Sequence, residues 1–299
     1  MVKIGVVTVT FNSEDVIKTF LDSLFAQTYR DFILYVIDNN STDRTINILE
    51  EFGKHLVVVK NSCNQGVAKA NNQGIRKALQ EECSHVLLIN NDVEFGEKVL
   101  YSLVNNQISS TCSMITPKIL FSDFPNAIWY GGGLFSILRS YMPFHVGFRE
   151  LDEGQHDVPA EVEYAPACCL LISKEVFTDV GFMDENLFVY FDDTDFCYRI
   201  KKDGRHNILY SPNIKIHHKV GGLTNTSQEK SSFKSNFFIE NNIKNHVYFL
   251  KKIGGLLGWI LIVWLLILIN VRFIVNSSFK KNIHTWILIN KSYIKGLNM

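Results

Sequence analysis

The sequence predicts an α/β chain built on a parallel, doubly wound sheet, and three observations carry that prediction. Short β-branched or apolar runs alternate with helix-period patterns through residues 2–90. Each run ends abruptly in a polar cluster, as strands do when they deliver side chains to a crevice. The chain has 299 residues, 46% of them hydrophobic, enough for one large domain or one domain with an appendage.

Taken in order, "VKIGVVTVT" (2–10) reads as the first strand and is closed by "FNSED". Val16, Ile17, Phe20, Leu21, Leu24 and Phe25 follow at helical i, i+3, i+4 spacing. "FILYVID" (32–38) is the second strand. After it Ser41 or Thr42 is placed to cap a helix whose apolar face holds Ile46 and Leu49. "HLVVVKN" (55–61) is the third strand, a helix opened by Gly66 follows, and "HVLLIN" (85–90) is the fourth strand. Ligand chemistry is then expected at the strand ends: Thr10–Asn12, Asp38–Asn40, Asn61–Gly66 and Asn90–Asp92.

The second half is less regular. Gly131–Gly133 suggests a turn or a close backbone approach, and "EYAPACCLLISKEVFTDVG" an apolar strand running into a helix near Ser173. "FDDTDFCYRIKKDG" reads as an acid-led helix ending at Gly204, "NIKIHHK" as a strand ending in two histidines, and 237–252 as an amphipathic helix.

Zero net charge conceals a division. Residues 1–240 carry 22 basic against 30 acidic groups, whereas the remainder carries eight Lys or Arg and no acid. That division places a soluble body at 1–240 and a basic, hydrophobic helical membrane-association region at 241–299. Within the latter, Ile253 to Val271 contains no charge. As a helix it is roughly 28 Å long, near the ~30 Å hydrocarbon thickness. A full span, an in-plane interfacial helix and a buried hairpin helix all fit. The six cysteines include no C-x-x-C pair and read as structural thiols of a reducing compartment. The start of the chain lacks the pattern of a secretory signal, so none is expected.

No G-x-G-x-x-G follows the first strand, and neither a P-loop nor a G-x-S-x-G elbow occurs. What remains is carboxylates and a histidine near strand ends. Asp92 with Asn90 suits a hard cation that takes one carboxylate plus phosphate oxygens and water, or Asp92 caps a turn. Asp192, Asp193 and Asp195 open a helix, where the dipole favours acids. Their aromatic frame suggests a partly desolvated setting in which one of them can act as a base. His217 is either a metal ligand or a polar strand end.

Together, in order, "VTVTFNSEDVIKTFLDSLFAQTY", "VIDNNSTDRT", "NQGVAKANNQGI", "LLINNDV", "CCLLISKEVFTDVGFMDENLFVYFDDTDFCYR" and "IHHKVGGLT" resemble family 2 glycosyltransferases of the GT-A fold. The resemblance covers residues 4–225 and is nearest to rhamnosyltransferase-like enzymes of bacterial surface-polysaccharide assembly. It implies a Rossmann-like, mostly parallel sheet flanked by helices, here with a C-terminal hydrophobic helical appendage. It also implies donor contacts from Phe11 and Asp38 to the nucleotide base, and from Asn64, Gly66 and Asn71 along the donor site. Asn90-Asn91-Asp92 stands at the family's D-x-D position, with Asn90 replacing the first Asp on the donor side. Asp92 is then the ligand of Mg²⁺ or Mn²⁺, joined by His217. Asp193 falls at the catalytic-base position and Asp192 on the acceptor side.

The implied activity is inverting, metal-dependent transfer of a sugar, rhamnose favoured. The donor is a dTDP- or UDP-sugar, and the acceptor is a hydroxyl of a lipid-linked glycan at the cytoplasmic face of the plasma membrane. No nucleic-acid partner is expected. Two other readings stay open. One is a non-catalytic nucleotide-sugar or glycan-binding module, motivated by Asn90. The other is a nucleotidyltransferase, which would need a Gly-rich phosphate loop where "TFNSED" stands.

Overall fold

The computed structural model describes residues 2–220, 235–275 and 283–299. The chain opens with β1 (Ile4–Thr10), α1 (Ile17–Phe25), β2 (Phe32–Asp38), α2 (Thr45–Glu51), β3 (Leu56–Lys60), α3 (Val67–Gln80) and β4 (His85–Ile89). It continues through β5 (Val93–Phe95), α4 (Val99–Ser110), β6 (Met114–Phe121), β7 (Ile128–Tyr130), β8 (Gly133–Ser136), β9 (Met142–His145) and β10 (Ala160–Val162). Then come β11 (Cys169–Ser173), α5 (Lys174–Asp179), α6 (Asp192–Asp203) and β12 (Ile208–His218). Three helices close it: α7 (Asn236–Ile253), α8 (Gly255–Val275) and α9 (Ile283–Asn298).

The main sheet runs β10-β12-β6-β11-β4-β1-β2-β3. The four strands of the first half are parallel, as the alternating pattern predicts. All seven residues of β1 are buried, the pattern of a strand covered on both faces. Helix α3 lies close on it, because a Cβ at Gly74 would stand 2.3 Å from Val7 and one at Gly5 would stand 2.2 Å from Ala78. Side chains there would lift the helix off the sheet.

The second half departs from a purely parallel sheet. Strand β11 runs antiparallel between β4 and β6, while β12 is parallel to β6 and antiparallel to β5. Consequently β4 and β12 both end beside the short β5, and the Asn90–Asp92 turn meets the end of β12.

One expectation changes. Neither Ser41 nor Thr42 caps α2. Ser41 is captured by the end of β2, its hydroxyl and its N–H both donating to Asp38, and Asp43 Oδ1 instead accepts from the Thr45 N–H. Helix α7 runs unbroken through residues 240 and 241 and packs on the segment before α6. Helix α9 packs along α7, where a Cβ at Gly296 would meet the Lys244 carbonyl at 2.4 Å.

Candidate active site

The Asn90–Asp92 turn follows β4 and leads into β5. Asn91 is fully buried and donates to the Val9 carbonyl (2.8 Å) and to Ser13 Oγ (3.0 Å). Asn90 is anchored through its backbone N–H to the Cys168 carbonyl (3.0 Å).

Asp92 is 5% exposed, and its Oδ1 lies 3.1 Å from His218 Nε2. The partner is therefore His218 and not His217. On β12, Ile214, Ile216 and His218 are buried, whereas Lys215 is exposed and His217 half-buried opposite Glu94. Strand alternation turns consecutive side chains to opposite faces, so only one of the two histidines can meet Asp92.

Asp92 Oδ1 and His218 Nδ1 are both buried without a hydrogen-bond partner. The 3.1 Å approach of Nε2 to Oδ1 is close, but not aligned as donor to acceptor. A carboxylate oxygen and an imidazole nitrogen side by side fit a divalent cation that completes its shell with phosphate oxygens and water. Among the described residues no group of three or more His, Cys, Asp or Glu forms a fuller cage. Trp129 stands edge-on to His218 with ring centroids 4.7 Å apart. Its carbonyl accepts from His145 Nδ1 (2.8 Å), and burial pushes His145 down to about 4, so that imidazole stays neutral.

The acid-led helix begins where expected. Tyr190 and Phe191 precede it in the left-handed region, at φ 65° and 66°. Bulky residues hold that conformation only when surroundings impose it. The imposing group is α7. Asn245 Nδ2 donates to the Val189 and Tyr190 carbonyls (2.8 and 3.1 Å), and His246 stacks on Phe191 with ring centroids 4.8 Å apart. The strained turn delivers Asp192 and Asp193 to the helix start.

Asp193 Oδ2 accepts from Tyr164 Oη (2.9 Å) and more distantly from the Ala167 N–H (3.4 Å). Burial raises its proton affinity, and these donors, with Thr194, oppose the rise by favouring the carboxylate. Asp192 is buried and pushed up to about 8, first by burial and then by the charge of Asp193. Asp193 carries the Tyr164 and Ala167 donors, which favour its ionised form, whereas burial and the neighbouring charge favour the protonated form of Asp192. Asp195 is spoken for, with Arg199 at 2.8 Å and Lys252 at 2.5 Å. Part of the repulsion among three clustered acids is thus relieved inside the protein.

The two halves of the site meet at the start of β11. Ala167 contacts Asp193, the next residue's carbonyl holds Asn90, and the buried Cys168 thiol is pushed up by burial and by both Asp92 and Asp193.

The remaining sequence candidates fall into two groups. Phe11 is 36% exposed beyond the end of β1. Asp38 is buried, holding Thr10 Oγ1 (2.8 Å) and Ser41. Asn64 Oδ1 accepts from the Gly66 N–H (2.9 Å). Gly66, at φ 83°, leaves only 2.5 Å between a would-be Cβ and the Phe188 carbonyl, and Asn71 is buried against Met183. These last contacts tie α3 to the chain leading into the acid pair. Sequence reasoning missed His218, Tyr164, Trp129 and the clamp from Asn245 and His246. Only His218 had a local signal, the two-residue period it shares with Ile214 and Ile216.

Residues 5–181 match the family model "Glycosyl transferase family 2". The low-salt glycan biosynthesis hexosyltransferase Agl10 of Haloferax volcanii is 26% identical, over 81% of this chain and 73% of its own length. The dTDP-rhamnosyl transferase RfbF of Shigella flexneri is 29% identical, over 72% and 68%. The N-acetylglucosaminyl-diphospho-decaprenol L-rhamnosyltransferase of Mycobacterium tuberculosis is 26% identical, over 72% and 76%. Among solved structures, the mannosyltransferase PcManGT of Pyrobaculum calidifontis, in complex with GDP-Man and Mn²⁺, superposes with TM-score 0.57. It is 14% identical, covers 99% of this chain and 86% of its own, and speaks to the GT-A fold alone. With more than half of its length matched, on a mixed sheet of that architecture, the chain belongs to glycosyl transferase family 2.

Proposed function

We propose that this glycosyltransferase transfers a sugar with inversion from a nucleotide-sugar donor to a hydroxyl of a lipid-linked glycan. Its site is at the cytoplasmic face of the plasma membrane. The observation that carries the reading is the meeting of two chemistries at one strand start. The Ala167 N–H contacts Asp193, and the Cys168 carbonyl holds the Asn90 N–H of the turn in which Asp92 lies beside His218.

On the acceptor side, Asp193 takes the proton of the incoming hydroxyl as that oxygen attacks the anomeric carbon. A positioned carboxylate contributes about 10²–10⁴-fold to such a step. Tyr164 and the Ala167 N–H orient its Oδ2. Asp192 stays protonated beside it and spares the site a second charge. On the donor side, Asp92 and His218 would hold Mg²⁺ or Mn²⁺, which supplies Lewis-acid neutralisation of the leaving diphosphate. Asn90, two residues before Asp92, would offer a neutral oxygen where a second carboxylate would add charge. Phe11 and Asp38 would take the base of the donor, and Asn64, Gly66 and Asn71 would line the donor site.

A dTDP-linked rhamnose is the favoured donor, supported by the Shigella and Mycobacterium relatives, and UDP-sugars are the alternative. The decaprenol-linked substrate in the name of the Mycobacterium relative supports a lipid-linked acceptor, as does the acid-free, basic tail of this chain. The test is turnover by purified protein in detergent across a panel of nucleotide sugars, with lipid-linked acceptor, with and without Mn²⁺ or Mg²⁺. Metal-dependent consumption of one donor, giving product of inverted anomeric configuration, is expected. Donor binding without any turnover would return the chain to a binding module.

A further inference from the structure

Helix α8 is 21 residues long and carries a mean hydropathy sufficient to cross a bilayer, yet its packing is one-sided. Leu261, Ile262 and Leu265 are buried. Tyr293 Oη of α9 donates to the Ile262 carbonyl (2.9 Å), and Trp264 Nε1 donates to the Leu138 carbonyl (3.1 Å) in the β8–β9 connection. The opposite side holds Leu256, Ile260, Val263, Ile267, Val271 and Ile274, all exposed. Their spacing of four, three, four, four and three residues traces one continuous stripe along the whole helix. Ile137 and Leu138, 58% and 79% exposed, extend it onto the catalytic body.

We infer that α8 does not span the membrane but lies in its plane, with this stripe and the Ile137–Leu138 loop seated in the same leaflet. The inference rests on the membrane-associated reading proposed above and fixes its geometry. Two observations choose the lipid surface as occupant. The catalytic body grips α8 at Trp264, so among the described residues Leu265–Val275 is the part of the helix that reaches past that contact, about 16 Å. That is roughly half of the ~30 Å hydrocarbon core. A span would carry the β8–β9 loop, with its polar backbone, toward the bilayer centre. Charge agrees as well, since the segment after Glu240 has eight Lys or Arg and no acid, which suits an anionic leaflet.

The arrangement also brings lipid next to the acid pair. Ser140, two residues from Leu138, offers its carbonyl to His246 Nε2 (2.6 Å), and His246 stacks on Phe191, which precedes Asp192. An acceptor anchored in the leaflet would meet the site from its own membrane.

The test uses the full chain and anionic phosphatidylglycerol vesicles in a flotation assay. Wild type floats, and the Ile137→Glu/Leu138→Glu double variant floats about tenfold less, while circular dichroism shows it folded. Equal flotation of the two would overturn the inference, because a spanning helix is indifferent to that loop. Depth is then read directly in a Cys63→Ser background, which removes the one exposed free cysteine. A fluorophore at Leu256→Cys, Ile267→Cys or Ile274→Cys is quenched by spin-labelled lipids. One shallow depth at all three is expected, and a gradient through the bilayer centre would overturn the in-plane geometry while leaving membrane association standing. Wild type that stays unbound and self-associates on sedimentation would assign the stripe to a second copy of the chain and overturn both.

Discussion

His218 Nε2 lies 3.1 Å from Asp92 Oδ1, although the two residues are far apart in sequence and Asp92 sits in the turn between β4 and β5 while His218 ends β12. The contact exists because β5, three residues long, turns the chain after Asp92 back against the end of β12. One more or one fewer residue in β12 would present His217 or Lys219 instead. The site therefore depends on strand register as much as on residue type.

Replacing the base tests the acceptor side. Asp193→Asn keeps the volume and the Tyr164 contact but removes the proton acceptor. Its kcat is expected to fall by about 10²–10⁴-fold, with the KM for donor changed little. Steady-state kinetics on a sample with native circular dichroism decide this. Near wild-type turnover would remove Asp193 from the mechanism.

The pH profile should carry the signature of the pair. Burial raises Asp193, so the acid limb of kcat/KM should lie above the ordinary carboxylate range. Tyr164→Phe deletes a donor to the carboxylate, and the limb should move further up. Asp192→Asn should leave the limb nearly in place, because Asp192 retains its proton while Asp193 titrates.

Stability gives an independent reading of Asp192. Its folded-state affinity, at about 8, lies above the ordinary value of 3.8. The folded protein thus holds a proton that the unfolded chain releases. The associated stability is fully present below about pH 4 and is lost as pH rises through about 8. Asp192→Asn removes that loss, so melting scans should show the variant gaining on wild type by about 2–4 °C or more at alkaline pH and little at pH 5.

Gly66 joins the donor-side helix to the acid-bearing segment. An added methyl would meet the Phe188 carbonyl at 2.5 Å, in a backbone conformation that L side chains rarely adopt. Gly66→Ala should cost about 1–3 kcal/mol in denaturant unfolding. A variant of unchanged stability would show that this junction yields without cost.

The first half of the fold was legible because its signals are local. Strands β1 to β4 alternate with helices at short spacing, and β2 was bounded correctly from its apolar run and closing Asp38. The second half was not, because the antiparallel insertion of β11 between β4 and β6 is a non-local pairing with no sequence period of its own. The acid pair was legible at a helix start, where three acids are conspicuous. Its clamp was not, since Asn245 and His246 sit in a helix that reads by charge as part of a membrane tail. His218 was within reach: following the buried positions Ile214 and Ile216 by twos leads to it rather than to His217.

The central claim is that Asp92 and His218 hold a divalent ion on the donor side. It is tested most directly by titrating Mn²⁺ into the protein with a nucleoside diphosphate, read by the loss of free-ion electron paramagnetic resonance signal. His218→Ala and His217→Ala are compared with wild type. The account predicts that His218→Ala weakens Mn²⁺ binding by about tenfold or more, while His217→Ala stays within about twofold. Unchanged binding in His218→Ala, or a loss confined to His217→Ala, would contradict it.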